Sequence, residues 1–302
     1  MPRRTVKVFQ VDVFTQQLFA GNPAGVVLGS ETLSEIEMQA LARELNNSDS
    51  AFVLPADGSD HDVRLRFFTP TREVAFVGHA SVAAHAARLA AGTARVGKLR
   101  QKSRAGVYDV ELAGSASAPR VTVAFPPPQF QPPIDVATRA RLLDIFGIET
   151  AALDPRCPIL VTKRNSTRLM IGLRSAEQLG SLQPNLEELK RITPHLGADG
   201  FFLFVRDAHG PNTTESRLFS PVLGIPEDPV SGNAHGMLGA YLVAHGLLSL
   251  SNGRAAFRGF QGRSLGRPGE VEVEIETEAG RPSLIRMIGS ARIVFTTEIA
   301  LD

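Results

Sequence analysis

The chain carries one pattern twice. Phe68-Thr69-Pro70, Glu73 and Gly78-His79-Ala80 in the first half are matched by Phe219-Ser220-Pro221, Glu227-Asp228-Pro229 and Gly232-Asn233-Ala234 in the second. The phenylalanines lie 151 positions apart (219 − 68) and the glycines 154 (232 − 78) in a chain of 302 residues. The second copy therefore holds three extra residues before its glycine. Such a chain reads as two similar halves, each presenting one glycine-led helix start. Two facing copies of one turn make a natural place for a small substrate held between domains.

The elements around each copy follow the same order. Val6 to Phe14, Ala24 to Leu28, Ala51 to Leu54 and Val63 to Phe68 alternate and are rich in β-branched or aromatic residues, which predicts strands. Ser34 followed by Glu37 predicts a capping box that opens a helix through Leu45, with Ile36, Met38, Leu41 and Leu45 inward. The alanine-rich run His79 to Ala91 has no breaker and predicts a helix ending near Gly92. Val107 to Leu112 and Val121 to Phe125 read as a hairpin. Five prolines between Pro126 and Pro133 exclude regular helix and inner strand. That stretch is the expected linker, giving halves 1–126 and 127–302, with the C-terminal strand free to return to the first half. Asp135 caps a helix to about Phe146. Strands at Ile159 to Lys163, Arg168 to Leu173, Phe201 to Val205 and Ser216 to Phe219 lead to a second long helix, Asn233 to His245. Each half is thus mostly antiparallel sheet around one central helix, an α+β fold. No phosphate loop or dinucleotide glycine fingerprint occurs.

Composition narrows the function. Lys and Arg number 32 and Asp and Glu 31, so a net charge of +1 offers no electrostatic case for nucleic acid or an anionic membrane. No apolar run approaches the ~20 residues of a membrane span, and no signal-peptide core follows the N-terminus. One cysteine, Cys157, excludes an intrachain disulfide, in keeping with a cytoplasmic location. The histidines show no metal-binding spacing, so no metal or cofactor is expected. His61, His195 and His209 sit in polar or turn contexts and are expected at the surface.

The chemistry concentrates at the two helix starts. Gly78 and Gly232 let the backbone turn tightly, and the first helical N–H groups, including those of Ala80 and Ala234, can hold an anion. An imidazole at such a start, His79, is biased toward its neutral form. Asp228 is placed to accept from His79 and orient the ring. Asn46-Asn47-Ser48-Asp49-Ser50 reads either as a polar loop or as a segment delivering Asp49 as an acid/base.

With these residues in view, the chain resembles the PhzF-like phenazine-biosynthesis family of the diaminopimelate epimerase-like fold. The resemblance rests on Val11-Asp12-Val13-Phe14, Gly21-Asn22-Pro23-Ala24-Gly25-Val26 and Asn47-Ser48-Asp49-Ser50-Ala51-Phe52-Val53. It continues through Phe68-Thr69-Pro70, Glu73, Gly78-His79-Ala80, Glu227 to Gly232, Gln261-Gly262 and Gly266-Arg267-Pro268-Gly269. It implies two barrel-like halves with the site in the cleft between them, a homodimer, and cofactor-free isomerisation of a small carboxylate-bearing substrate. It places catalytic roles on Asp49, His79 and Asp228. Substrate contacts fall on Ser48, Gly78, Ala80, Gly232, Asn233 and Ala234. Two positions depart from the family pattern: Asp49 stands for a glutamate, its carboxylate reaching about 1.3 Å less, and Asn233 stands for a serine.

Three readings follow. The first is an isomerase in which Asp49 moves a proton. The second is a cofactor-free lyase or hydrolase on the same site, with a Gly-x-Ser-x-Gly elbow read as absent. The third is a non-catalytic binder of small acids. A two-thiol epimerase is excluded by the single cysteine.

Overall fold

The computed structural model describes residues 4–301. The chain divides into two compact units: unit 1 runs to Phe125 and takes back the chain from Met287, and unit 2 is Pro126–Arg286.

In unit 1 the strands are β1 (Arg4–Val13), β2 (Asn22–Leu28), β3 (Ser50–Pro55), β4 (Val63–Phe68), the short β5 (Glu73–Val74), β6 (Gly97–Ser103), β7 (Gly106–Ser115) and β8 (Ala118–Phe125). β1 pairs with β2 and with the C-terminal strand; β2 runs parallel to β3, β3 antiparallel to β4, and β4 parallel to β6. β6, β7 and β8 form a meander, and β8 pairs with the C-terminal strand, which closes eight strands into a barrel. Helix α1 (Glu35–Leu45) joins β2 to β3 on the outside, opened by the expected capping box of Ser34 and Glu37. Its Ile36 is 82% exposed rather than inward; Met38 and Leu41 alone among the four expected positions are fully buried.

Helix α2 (Gly78–Ala90) packs against β1, β2, β3 and β8, and every residue from Gly78 to Ala87 is buried. A helix enclosed by strands has no solvent face, and its alanines keep it thin enough for the barrel. His85 lies fully inside, bonded through Nε2 to Gln101 Oε1 at 2.8 Å; Gln101 Nε2 donates to Ser81 Oγ at 3.0 Å. The polar atoms of this core are thereby paired with one another, as burial demands.

Unit 2 repeats the plan. Its strands are β9 (Gln129–Pro133), β10 (Leu160–Lys163), β11 (Thr167–Leu173), β12 (Gly200–Arg206), β13 (Thr213–Ser220), β14 (Ile225–Asp228), β15 (Arg254–Gln261), β16 (Gly269–Glu278) and the start of β17 (Arg281–Leu301). β11 runs parallel to β12 and β13 parallel to β15, the same two parallel pairings as in unit 1; β10 pairs antiparallel with β9 and β11, β13 with β12 and β14, and β15 with β16. Helices α3 (Val136–Phe146), α4 (Ala176–Ser181) and α5 (Leu186–Leu196) cover an apolar cluster that includes Leu142, Leu169, Leu189 and Phe201. Helix α6 (Gly232–Ala244) packs on β15 and β16. At Gly259 a side-chain carbon would fall 1.9 Å from Cδ2 of His235, so the strand must be bare where that ring crosses it. No helix among the described residues is long and apolar enough to cross a membrane.

The proline-rich stretch differs from expectation. Gln129–Pro133 is a strand, with Thr162 opposite Phe130 and Leu160 opposite Pro133. Proline is tolerated there because an edge strand needs ladder hydrogen bonds on one side only.

The repeated pattern is anchored by an ion pair in each unit. Arg66 Nε and Nη2 each lie 2.8 Å from a carboxylate oxygen of Glu73. Arg217 meets Glu227 through the same two nitrogens, also at 2.8 Å. Each guanidinium also lies over the phenylalanine of its repeat, 5.1 Å from Phe68 and 4.8 Å from Phe219. Five positions separate glutamate and glycine in both copies (78 − 73; 232 − 227). The three extra residues of the second copy lie between its proline and its glutamate, where Pro221–Leu223 forms a 3₁₀ turn.

Arg66 keeps a carboxylate partner if Glu73 is lost, since it also meets Glu35 at 2.7 Å, whereas Arg217 has Glu227 as its carboxylate. Replacing Glu227 by Gln is expected to cost about 3 kcal/mol, because it strands a buried guanidinium, and Glu73→Gln about 1 kcal/mol. Urea unfolding at pH 7 checks this; equal losses would contradict it.

Candidate active site

Asp49 is delivered by a short polar loop. α1 ends at Asn46 in the left-handed conformation (φ 51°), and β3 starts at Ser50, locked beside Gly25 in a parallel register. Between them the Asn47 amide is clamped to that of Gln10 by two reciprocal hydrogen bonds of 2.9 Å. Asp49 is buried, and the Ser48 hydroxyl is a buried oxygen with no protein partner.

His79 is the second residue of α2. Its Nε2 stands 3.8 Å from Asp49 Oδ2, beyond hydrogen-bond length, and has no hydrogen-bond partner. Burial pushes its pKa down to about 4, so the ring is neutral at pH 7. The residue before Gly78 is Val77, which provides no side-chain cap. Valine is a poor N-cap, and the N–H groups of Gly78, His79 and Ala80 receive no side-chain acceptor from it. Unit 1 thus brings Ser48, Asp49, Gly78, His79 and Ala80 together. Sequence reasoning paired His79 with Asp228; within unit 1 its neighbouring carboxylate is Asp49.

In unit 2 the corresponding turn is held from behind by Gln261. Its Nε2 donates to the Asp228 carbonyl at 2.6 Å, and its Oε1 accepts from the Ser231 N–H at 3.1 Å. Gly262 (φ 92°) lets the chain pass close to the Pro229 carbonyl; a Cβ there would lie 2.8 Å from that oxygen. Ser231 caps α6 by accepting from Ala234 N–H at 3.3 Å. Asn233, at the second helical position, accepts from Arg164 Nη2 and donates to Ser166 Oγ at 2.6 Å. Arg168 is 8% exposed, and the Asp228 carboxylate stabilises its buried positive charge against the burial that lowers its pKa. Unit 2 brings Asp228, Gly232, Asn233 and Ala234 together with two arginines, Arg164 and Arg168, that sequence reasoning had not singled out.

Two expectations need correction. Gly262-Arg263-Ser264-Leu265-Gly266 does carry Gly-x-Ser-x-Gly spacing. It forms a 3₁₀ turn between two strands rather than the strand-to-helix elbow that exposes a nucleophile. Ser264 Oγ donates to Glu227 Oε1 at 2.6 Å. His61 is buried (4% exposed), with Nδ1 2.7 Å from Asp60 and Nε2 accepting from Asp57 N–H. Cys157 is buried with its thiol pushed up to about 11, first of all by burial, which removes thiolate chemistry at neutral pH. Among the described residues no group of three or more His, Cys, Asp or Glu is placed to hold a metal ion.

Two barrel-like units of repeated topology, each with a helix start bearing polar residues, define a two-unit epimerase-like fold. The family model described as phenazine biosynthesis-like protein, PhzC-PhzF, matches residues 11–297. The uncharacterized isomerase YddE of Escherichia coli (strain K12) is 40% identical over 299 residues, covering 98% of this chain and 99% of that protein. The trans-2,3-dihydro-3-hydroxyanthranilate isomerase of Pseudomonas aeruginosa is 30% identical over 281 residues, covering 93% and 94%. The crystal structure of a Bacillus anthracis PhzF-family protein shares the fold at a TM-score of 0.88, with 24% identity over 99% of this chain and 100% of that one. The chain belongs to the PhzC-PhzF phenazine biosynthesis-like family. It is an enzyme of the isomerase class.

His79 and His235 are both depressed to about 4 by burial; His85 is depressed to about 3 by burial and then by the Arg88 charge. In the unfolded chain each imidazole takes up a proton as pH falls through its ordinary 6.5, while the folded form stays neutral. Stability is therefore complete above about pH 6.5 and is lost progressively toward pH 4. Near pH 5 unfolding takes up about three protons, a slope of about 4 kcal/mol per pH unit. Urea midpoints at pH 7 and pH 5 test this; a flat profile would show that the rings are not held neutral.

Proposed function

We propose that this enzyme moves a proton between two positions of a small carboxylate-bearing substrate, without a cofactor, in a reaction similar to that of the trans-2,3-dihydro-3-hydroxyanthranilate isomerase. Asp49 as carboxylate takes a proton from an activated carbon, and the electron pair left behind enters the adjoining unsaturated system. The resulting carboxylic acid returns the proton to a second carbon, so atoms and charge balance over the cycle. Neutral His79 donates or accepts at the charge that develops between the two steps. Gly78, Gly232 and the residues after them contribute N–H groups to the substrate carboxylate, and Asp228 orients the substrate.

The observation that carries this reading is the buried pair at the start of α2: a neutral imidazole with an unsatisfied Nε2, 3.8 Å from a buried aspartate. Buried polar atoms are ordinarily paired, and pairs of titratable groups so placed concentrate at sites of proton transfer. The resemblance also supports action as a homodimer, which light scattering on the purified protein checks.

NMR in D2O tests the chemistry directly. With trans-2,3-dihydro-3-hydroxyanthranilate and a panel of small amino, hydroxy and dihydroaromatic acids, deuterium is expected to enter a carbon position of at least one. Asp49→Asn should abolish exchange, and His79→Gln should slow it about 100-fold, within the range that acid–base groups contribute. Exchange that survives in Asp49→Asn would end the proposal. Line broadening on binding with no exchange at any carbon would favour a small-acid binder instead.

A further inference from the structure

The second residue of each central helix occupies the same place in the repeat, yet the two are treated in opposite ways. His79, after Gly78, keeps a buried Nε2 with no hydrogen-bond partner. Asn233, after Gly232, has both ends of its amide engaged by the β10–β11 turn, its oxygen by Arg164 and its nitrogen by Ser166 at 2.6 Å. An amide is neither acid nor base near neutral pH, and one held at both ends has no freedom to swing. Its consequence is instead positional: it ties a guanidinium to the first turn of α6. The same hairpin contributes a second cation, Arg168, nine-tenths buried, whose Nε is a buried donor with no acceptor and whose charge acts on Asp228.

We propose that Arg164 is the specificity-determining residue of this site, pairing with the anionic end of the substrate, and that Asn233 and Ser166 are positioning residues that hold it there. The proposal rests on the isomerase reading only for the identity of the site. A planar guanidinium selects a carboxylate over a neutral group through paired, charge-assisted hydrogen bonds. An aspartate one methylene short of the family's glutamate needs a substrate held in one place, and an anchored arginine supplies that.

Calorimetric titration with anthranilate and anthranilamide separates charge recognition from ring binding, since the second replaces the carboxylate by a neutral amide of the same shape. The wild-type protein is expected to bind anthranilate about tenfold or more tightly than anthranilamide. Arg164→Met should erase that preference by weakening the acid about tenfold while leaving the amide within about twofold. Arg164→Lys should restore part of it, and Asn233→Ala should lower it by releasing the arginine. Circular dichroism melts of each variant exclude a folding defect. A preference that persists in Arg164→Met would overturn the assignment. So would a wild-type protein that binds both compounds equally, or neither. Equilibrium binding needs no turnover, so the outcomes separate. Lost selectivity in Arg164→Met with deuterium exchange intact in Asp49→Asn would sink the isomerase mechanism and leave the arginine in place. The reverse pattern would do the opposite.

Discussion

Each half of this enzyme hangs on one bidentate arginine–glutamate contact. Arg66 stands on β4 and Glu73 on β5; Arg217 stands on β13, and Glu227 on β14. The two parallel N–H···O bonds fix the short returning strand against the end of the longer one. Five residues later the chain turns into the central helix, so the ion pair sets where that helix begins and which way its first N–H groups point. In unit 2 the same arginine does more. Its Nη1 donates to the carbonyls of Leu179 and Leu182 at 3.1 and 2.7 Å, tying down the end of α4, and Ser264 bonds to the glutamate from the other side. Few other groups could do this, because a guanidinium offers five donors in a rigid plane.

Once the start of the helix is fixed, the barrel around it dictates the rest. A helix buried on all sides must be slim or meet bare strand, hence the alanines of α2 and the glycine opposite His235. Polar residues inside must find partners there. Ser81 Oγ returns to the Val77 carbonyl at 2.9 Å, and His235 Nδ1 to the Ser231 carbonyl at 2.8 Å, so the fourth residue of each helix bonds the residue before its glycine. At the start of α2, by contrast, His79 Nε2 is buried without a hydrogen-bond partner in the protein. The same burial that keeps it neutral makes it costly to leave unpaired, which is the condition expected of a group that meets its partner in a bound substrate.

The repeat was legible in the sequence because its parts lie close together along the chain: Phe-x-Pro, an acid and a glycine within fourteen positions or fewer. Both central helices, the capping box of α1 and most strands follow from local spacing for the same reason. The groups that tune the site were not legible, since they come from far away. Gln10 meets Asn47 across 37 positions, Gln261 meets Asp228 across 33, and Arg164 meets Asn233 across 69. No local period marks such residues, and Arg164 reads as one more surface cation in a polar turn. Ile36 and His61 misled in opposite directions. Helical phase alone placed Ile36 inside, and a polar context placed His61 outside, whereas Ile36 is exposed and His61 buried.

The repeat also explains why the two helix starts diverged. In the register of the ion pairs, Glu73 matches Glu227, so Asp228 falls opposite Val74 and has no acidic counterpart in unit 1. His79 matches Asn233. A duplicated scaffold with identical turns would offer a substrate the same chemistry twice, which suits neither binding an anion nor moving a proton, since one needs positive charge and the other needs a base. Unit 1 keeps a buried carboxylate, Asp49, 3.8 Å from a buried neutral imidazole, His79. Unit 2 gathers two arginines around a turn whose carboxylates are engaged by arginines, Glu227 by Arg217 and Asp228 through its charge by Arg168. An adjacent cation lowers the affinity of a carboxylate for a proton, so a carboxylate proposed to carry one is better served by a neutral neighbour such as His79.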